Sequence, residues 1–291
     1  MNSHSHNFET PAPTAVRHAA AAGMFYPASS HALQQTVDDQ LAQTRLVNTP
    51  REIVALLVPH AGYVYSGGVA AQGYKLLQGC AAQTVVVLAP SHFKRFPFAS
   101  LFSGRAYVTP LGEMPVAQEL AHALAQSDER LVCSWLGHDE GNGRAEHALE
   151  VQLPFLQRVL PHRALLPIVM GEHSWELCEA LARQLAALAA QETLVFIAST
   201  DLSHYHNEEE ARQLDQHCLE LLLAGEARKL HEAFMRRECE ACGIGPMVTT
   251  LLAAQALQAN RIELLCYDHS GSVSGDFDCV VGYAAVSFSR T

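Results

Sequence analysis

No apolar run in this 291-residue chain approaches the roughly 18 residues that a membrane-spanning helix needs. The apolar segment from Met247 to Leu257 is too short, and it carries Thr and Gln. The amino terminus, Met1 to Thr14, is polar and lacks the apolar centre of a signal peptide. Lysine and arginine form no cluster, and the net charge is −11. Without a basic patch there is no footprint for a phosphate backbone, so nucleic acid is not an expected partner. Charged residues are scarce at 17% against 49% hydrophobic, a mix that builds a core and leaves little room for disorder. No Pro-, Gly- or Ser-rich linker and no internal repeat divides the chain. The expectation is a cytosolic protein with no membrane contact. It is one domain over residues 19–291 behind a loosely attached lead, residues 1–18.

The eight cysteines are scattered, and a cytosolic chain keeps thiols reduced. Most, such as Cys80, Cys133, Cys178 and Cys218, sit in apolar patterns as small core residues. Sixteen histidines is a high number, although His4, His6 and His18 fall in the lead.

Hydrophobic periodicity predicts a helix over Ser30–Leu46, then strands alternating with helices. Ile53–Val58, Thr84–Ala89, Ala164–Met170 and Thr193–Ala198 are aliphatic runs of strand length. The second is purely aliphatic and reads as central, buried on both faces. Helices are predicted at Gly68–Leu77, opened by a Ser66-Gly67-Gly68 turn, at Pro115–Gln126 and at Trp175–Ala190. Three more follow at Glu208–Leu223, Glu226–Arg236 and Gly245–Gln258. Phe98–Phe102 and Ala106–Val108 read as a hairpin around Gly104, and Leu131–Trp135 as a short strand. A helix is expected from near Arg144, kinked where Pro154 frees the carbonyl of Glu150. Strands Ile262–Asp268 and Cys279–Phe288 close the chain. This alternation predicts an α/β fold, a single domain with a mixed or parallel central sheet flanked by helices.

Chemistry gathers where these strands end. Pro59-His60-Ala61-Gly62, Pro90-Ser91-His92 and Ser199-Thr200-Asp201-Leu202-Ser203-His204 each follow an aliphatic run. The carboxyl ends of strands are where open α/β sheets place their sites. His60 and His92 occupy matching positions and suit a metal; the alternative is that each caps a turn. Asp201 orients an imidazole or caps a helix, and His204 is a general acid/base or part of a polar loop. On a helical turn the two would share one face. Glu146, His147 and Glu150 form a compact group, with His147 and Glu150 spaced to hold a metal from one helix face; the favoured reading is a substrate-contact or ligand-orienting cluster, the alternative a solvated face. Cys239-Glu240-Ala241-Cys242-Gly243 is a lone Cys-x-x-Cys without the second pair a structural zinc needs. Cys242, just before a helix, is placed to be a thiolate ligand. His60, His92 and Cys242 then form a two-histidine, one-anion metal site.

At these residues the chain resembles the Memo family, also called AmmeMemoRadiSam system protein B. The likeness rests on Gly23-Met24-Phe25-Tyr26-Pro27, Pro59-His60-Ala61-Gly62-Tyr63 and Pro90-Ser91-His92, with Glu146-His147, Glu150 and Leu153-Pro154 after them. Asp201 with His204 and Cys242-Gly243 complete it in the family's order. The resemblance implies a fold like that of the class III extradiol dioxygenases, which hold iron on two histidines and a glutamate. It implies His60, His92 and Cys242 as metal ligands, with His204 as acid/base beside Asp201; His147 and Glu150 are expected in the substrate cleft from their own grouping. Fe(II) is the metal first implied, with copper or zinc as alternatives, since cysteine favours softer ions. The implied activity is that of a metal-dependent, dioxygenase-like oxidoreductase with an unidentified small substrate. The family name points to a radical-SAM system partner. The alternative is a non-enzymatic metal-, peptide- or protein-binding module that keeps the cleft. Cys239 departs from the general pattern and is a potential competing disulfide partner or extra soft ligand.

Overall fold

The computed structural model describes residues 9–46, 52–139 and 145–290. In chain order it contains β1 (Val16–Arg17), α1 (Ser30–Gln43), β2 (Glu52–Val58), α2 (Tyr63–Tyr74) and β3 (Thr84–Pro90). There follow β4 (Ala99–Leu101), β5 (Ala106–Thr109), β6 (Gly112–Pro115), α3 (Gln118–Ser127) and β7 (Leu131–Cys133). The middle of the chain forms α4 (Leu153–Val159), β8 (Ala164–Met170), α5 (Trp175–Ala189), β9 (Leu194–Ser199) and β10 (His204–His206). Helices α6 (Glu208–Leu223), α7 (Ala227–Met235) and α8 (Ile244–Ala256) lead to β11 (Arg261–His269), α9 (Gly271–Ser274) and β12 (Val280–Arg290).

The aliphatic runs become the middle of one mixed sheet, ordered β10-β12-β2-β9-β3-β8-β4-β7, with β11 also on β12. Its central pairs, β2 with β9, β9 with β3 and β3 with β8, are parallel. All seven residues of β3 are buried, as its purely aliphatic sequence predicts for a strand covered on both faces. Alternate residues divide between two cores. Val85, Val87 and Ala89 face one shared with α1, α2 and α4, while Val86 and Leu88 face one shared with α5, α6 and α8. This single α/β domain is the architecture expected from the alternation of elements. Among the described residues no helix is long and apolar enough to cross a membrane.

Several local expectations are corrected. Helix α2 starts at Tyr63, and Gly67 lies inside it. That glycine leaves room for the Gln40 side chain of α1, which a Cβ would meet at 2.4 Å and whose amide donates to Tyr63 O at 3.0 Å. Packing between helices, not a turn, explains the glycine. The Phe98–Phe102 and Ala106–Val108 segments form no hairpin. β4 joins the main sheet between β8 and β7, whereas β5 joins a small sheet with β1 and β6. β6 also takes the start of the helix expected at Pro115, so α3 begins at Gln118. The helix start near Arg144 lies outside the described residues. Pro154 bends nothing, because it sits in the first turn of α4, where no amide is needed.

The lead is also firmer than its polar composition indicates. Residues 1–8 lie outside the described part, but β1 pairs with β5 and Arg17 is fully buried. Its guanidinium pairs with the equally buried Glu150 and donates to the carbonyls of Glu146, at 2.6 Å, and His138, at 3.2 Å. Glu150 also accepts from the amides of Ala20 and Ala21, at 2.9 and 2.8 Å, and from the Tyr26 hydroxyl. Every oxygen of this carboxylate is occupied, so the chain from β1 to Tyr26 is riveted to the start of α4.

Removing one partner of such a buried pair leaves the other charge unpaired, which costs about 3–5 kcal/mol. Glu150→Ala is therefore expected to lower the unfolding free energy by about that amount in urea titration. A loss below about 1 kcal/mol would contradict the rivet.

Candidate metal centre

Backbone register places the site. The last residues of the parallel strands lie side by side, Val58 opposite Ser199, Leu88 opposite Ala198 and Pro90 opposite Met170. His60, His92 and Asp201 each stand two residues beyond the end of their strand, so all three emerge at one edge of the sheet. Cys242 arrives from the other direction, at the amino end of α8. Its amide donates to Asp201 O at 3.2 Å, and the Gly243 amide donates to Thr200 Oγ1 at 2.8 Å. A Cβ on Gly243 would stand 2.4 Å from Ser199 O, so only glycine lets this turn lie against the strand end.

The ligand atoms of His60, His92 and Cys242 converge within 4.8 Å of one another. Cys242 Sγ lies 3.2 Å from His60 Nε2 and accepts from the Asp201 amide at 3.2 Å. Hydrogen bonds fix both rings. Ser199 Oγ donates to Ala148 O at 2.7 Å, so toward Gln152 Nε2, at 2.8 Å, and His60 Nδ1, at 2.9 Å, it accepts. His60 thus carries a hydrogen on Nδ1, and its Nε2 faces the Cys242 sulfur. His92 Nδ1 donates to Glu146 Oε1 at 2.9 Å, and Glu146 Oε2 takes the His92 amide at 2.7 Å. Glu146 Oε1 is held further by the amides of His147 and Ala148, both at 3.0 Å.

Charge follows from these contacts. Burial works against a charged His92, but Cys242 and Glu146 outweigh it and raise its pKa to about 10. Burial would raise the Cys242 thiol, yet His60 and His92 bring it down to about 6. Burial also raises Glu146, which His92 reverses to about 2. The metal-free protein thus holds a thiolate and an imidazolium side by side at neutral pH.

Of the remaining candidates, His147 stays at the site and Glu150 does not. The His147 ring stacks between Phe25, at 4.2 Å, and His92, at 4.8 Å, with its edge 5.5 Å from His60. Burial and the His60 ring lower its pKa to about 3, so it is neutral. It forms a second metal-competent group with His92 and Glu146. Glu150, expected beside it in the cleft, is instead spent on Arg17, Tyr26 and two amides; residues 145–149 are not helical, so no common helix face unites the two. Asp201 and His204 share no helical turn either, because His204 opens strand β10. Asp201 Oδ1 accepts from the His60 amide at 2.8 Å, and burial raises its pKa. His204 Nδ1 donates to Leu202 O at 2.8 Å, which leaves Nε2 as a free acceptor. Cys239 is buried against Cys218 of α6 and stands apart from the ligand group. Ser199 was missed in the sequence; its position as the last residue of an aliphatic strand, level with Val58, was the available signal.

The sequence profile described as Memo-like protein matches residues 17–287. The chain belongs to the Memo-like family. A MEMO1 family protein of Methanosarcina barkeri is 38% identical over 274 residues, covering 93% of this chain and 99% of the relative. One of Methanopyrus kandleri is 34% identical over 285 residues, with 94% and 99% covered. One of Nitrosopumilus maritimus is 30% identical over 278 residues, with the same coverage. The crystal structure of an uncharacterized protein from Escherichia coli K12 covers 80% of this Memo-like chain and 99% of its own, with a TM-score of 0.52 at 15% identity. That likeness is one of fold.

A metal held by this Memo-like site needs thiolate on Cys242 and a bare Nε2 on His92. Between pH 6.5 and 9 the thiolate is already formed and one proton leaves His92, so log affinity for Zn(II) should rise with a slope of about one. Below pH 6 the slope should approach two, as Cys242 also takes up a proton. Competition titrations with a chromophoric chelator measure this, and an affinity independent of pH would contradict the charge assignment.

Proposed function

We propose that this Memo-like protein binds a metal on His60, His92 and Cys242 and works as a non-haem, dioxygenase-like oxidoreductase on a small substrate. The carrying observation is the orientation of both rings: Ser199 and Glu146 hold Nδ1 of each and aim both Nε2 atoms at one thiolate. The donor set fits a metal. Bonds of about 2.1–2.3 Å need donors roughly 3.5 Å apart, and Cys242 Sγ stands 3.2 Å from His60 Nε2. Three protein ligands leave open positions, and Fe(II) is the first candidate, with copper or zinc favoured by the soft thiolate.

When bound, a redox metal supplies electron transfer between substrate and oxidant. The chain's own groups handle substrate and protons. Neutral His147, clamped by Phe25, presents an imidazole that donates or accepts without changing charge. His204 takes or returns a proton at Nε2, since Leu202 O occupies Nδ1. Asp201 braces the turn that carries His60 and the Cys242 thiolate.

A second reading has its own support. Of nine exposed large hydrophobic residues among those described, Met24, Val64, Tyr65, Phe93 and Tyr205 flank site residues in the chain. Such an apolar fringe suits a docked protein, among them a radical-SAM system partner, and so a binding module that keeps the cleft.

Anaerobic reconstitution with Fe(II), Cu(I) and Zn(II), followed by metal analysis, tests the site. Wild type should retain one equivalent of at least one metal, and Cys242→Ser should lose it. Equal retention by both would remove Cys242 from the ligand set. Dioxygen uptake by the loaded protein with a catechol panel supports the enzyme; metal without uptake favours the binding module.

A further inference from the structure

A cavity of about 810 Å³ opens beside Cys242, and neither Phe25 nor His147 lines it. It lies at the carboxyl ends of β3 and β8, enclosed by α7 and by the amino ends of α5 and α8. Its volume is that of a small-molecule site. Phe96, Met170, Trp175, Met235 and several prolines give it apolar walls.

Most of its polar groups are already engaged. The Arg228 guanidinium lies 4.6 Å over the Trp175 ring and bonds Glu232 at 3.2 Å, and Glu172 accepts the Ser174 hydroxyl at 2.8 Å. His231 Nε2 bonds the His173 carbonyl at 2.8 Å. Glu176 lies exposed in the first turn of α5. One cation is left over. Arg95, an exposed residue of the lining, has no hydrogen-bond or ion-pair partner among the described residues, and after burial its charge is the next cause that lowers the His173 pKa. Ser91, one residue before His92, belongs to the lining, but its Oγ is buried and closed to the cavity space. The amino ends of two helices, of 15 and 13 residues, add positive potential to the same space.

We propose that this cavity is the substrate chamber of the metal site and that it selects an organic acid with an apolar body. The acid group pairs with Arg95, the body lies along Trp175 and Met235, and the reacting end reaches Cys242. This rests on the metal-centre reading above, but it makes a separate demand on the chain.

Trp175 is one of only two tryptophans and reports directly on the chamber. Metal-free wild type, Trp175→Phe and Arg95→Gln are titrated with aryl and straight-chain carboxylates of roughly six to ten carbons, each beside its own amide. At least one acid should quench wild-type emission saturably, with its amide about tenfold weaker. Arg95→Gln should weaken the acid by the same factor, and Trp175→Phe should abolish the signal. Absence of saturable quenching, equal binding of acid and amide, or an unaltered Arg95→Gln would each overturn the proposal. Because these titrations use metal-free protein, their failure would leave the metal analysis standing. Failure of Cys242→Ser to lose metal would leave acid binding in the cavity standing but would part it from the metal site.

Discussion

Parallel pairing of β2, β9 and β3 is the constraint on which everything else in this protein depends. Strands in register end in register, so residues far apart in sequence emerge side by side at one edge. His60, His92 and Asp201 use the same offset of two residues from their strand ends. Each strand is held by burial on both faces, which fixes where its end emerges.

The edge alone would not orient two imidazoles. A shell of groups does that, and each member is itself satisfied. Ser199 answers His60, Ala148 and Gln152 at once; Glu146 answers His92 and two further amides. Behind Glu146 lies Arg17, which donates to its carbonyl while paired with Glu150. The amino-terminal segment is thus tied into the support of the metal site and is more than a cover on the sheet. Low local dielectric makes such a network costly to break at any member, which accounts for the depth at which Arg17 and Glu150 are buried.

Much of this was legible in the sequence because aliphatic runs mark buried strands and histidines placed just after them stand out. The main strands, the order of the helices and the meeting of His60 with His92 follow from that pattern, and Cys242 from its place before a helix. What misled was spacing read without context. His147 and Glu150 are three apart, but no helix joins them, and Pro154 opens α4 where a kink was expected. Arg17 sat unnoticed in a polar lead, because composition cannot reveal one buried cation whose partner is 133 residues away. Glu146 stood in the group singled out in the sequence, but which imidazole it and Ser199 hold appears only when distant segments meet.

Two fixed imidazoles and one thiolate facing a common point are the centre of this account. X-ray absorption of the Fe(II)- or Zn(II)-loaded protein tests it directly. The account predicts one sulfur scatterer at about 2.3 Å and two imidazole nitrogens at about 2.1 Å, with the sulfur absent in Cys242→Ser. A first shell of nitrogen and oxygen alone in the wild type would contradict it.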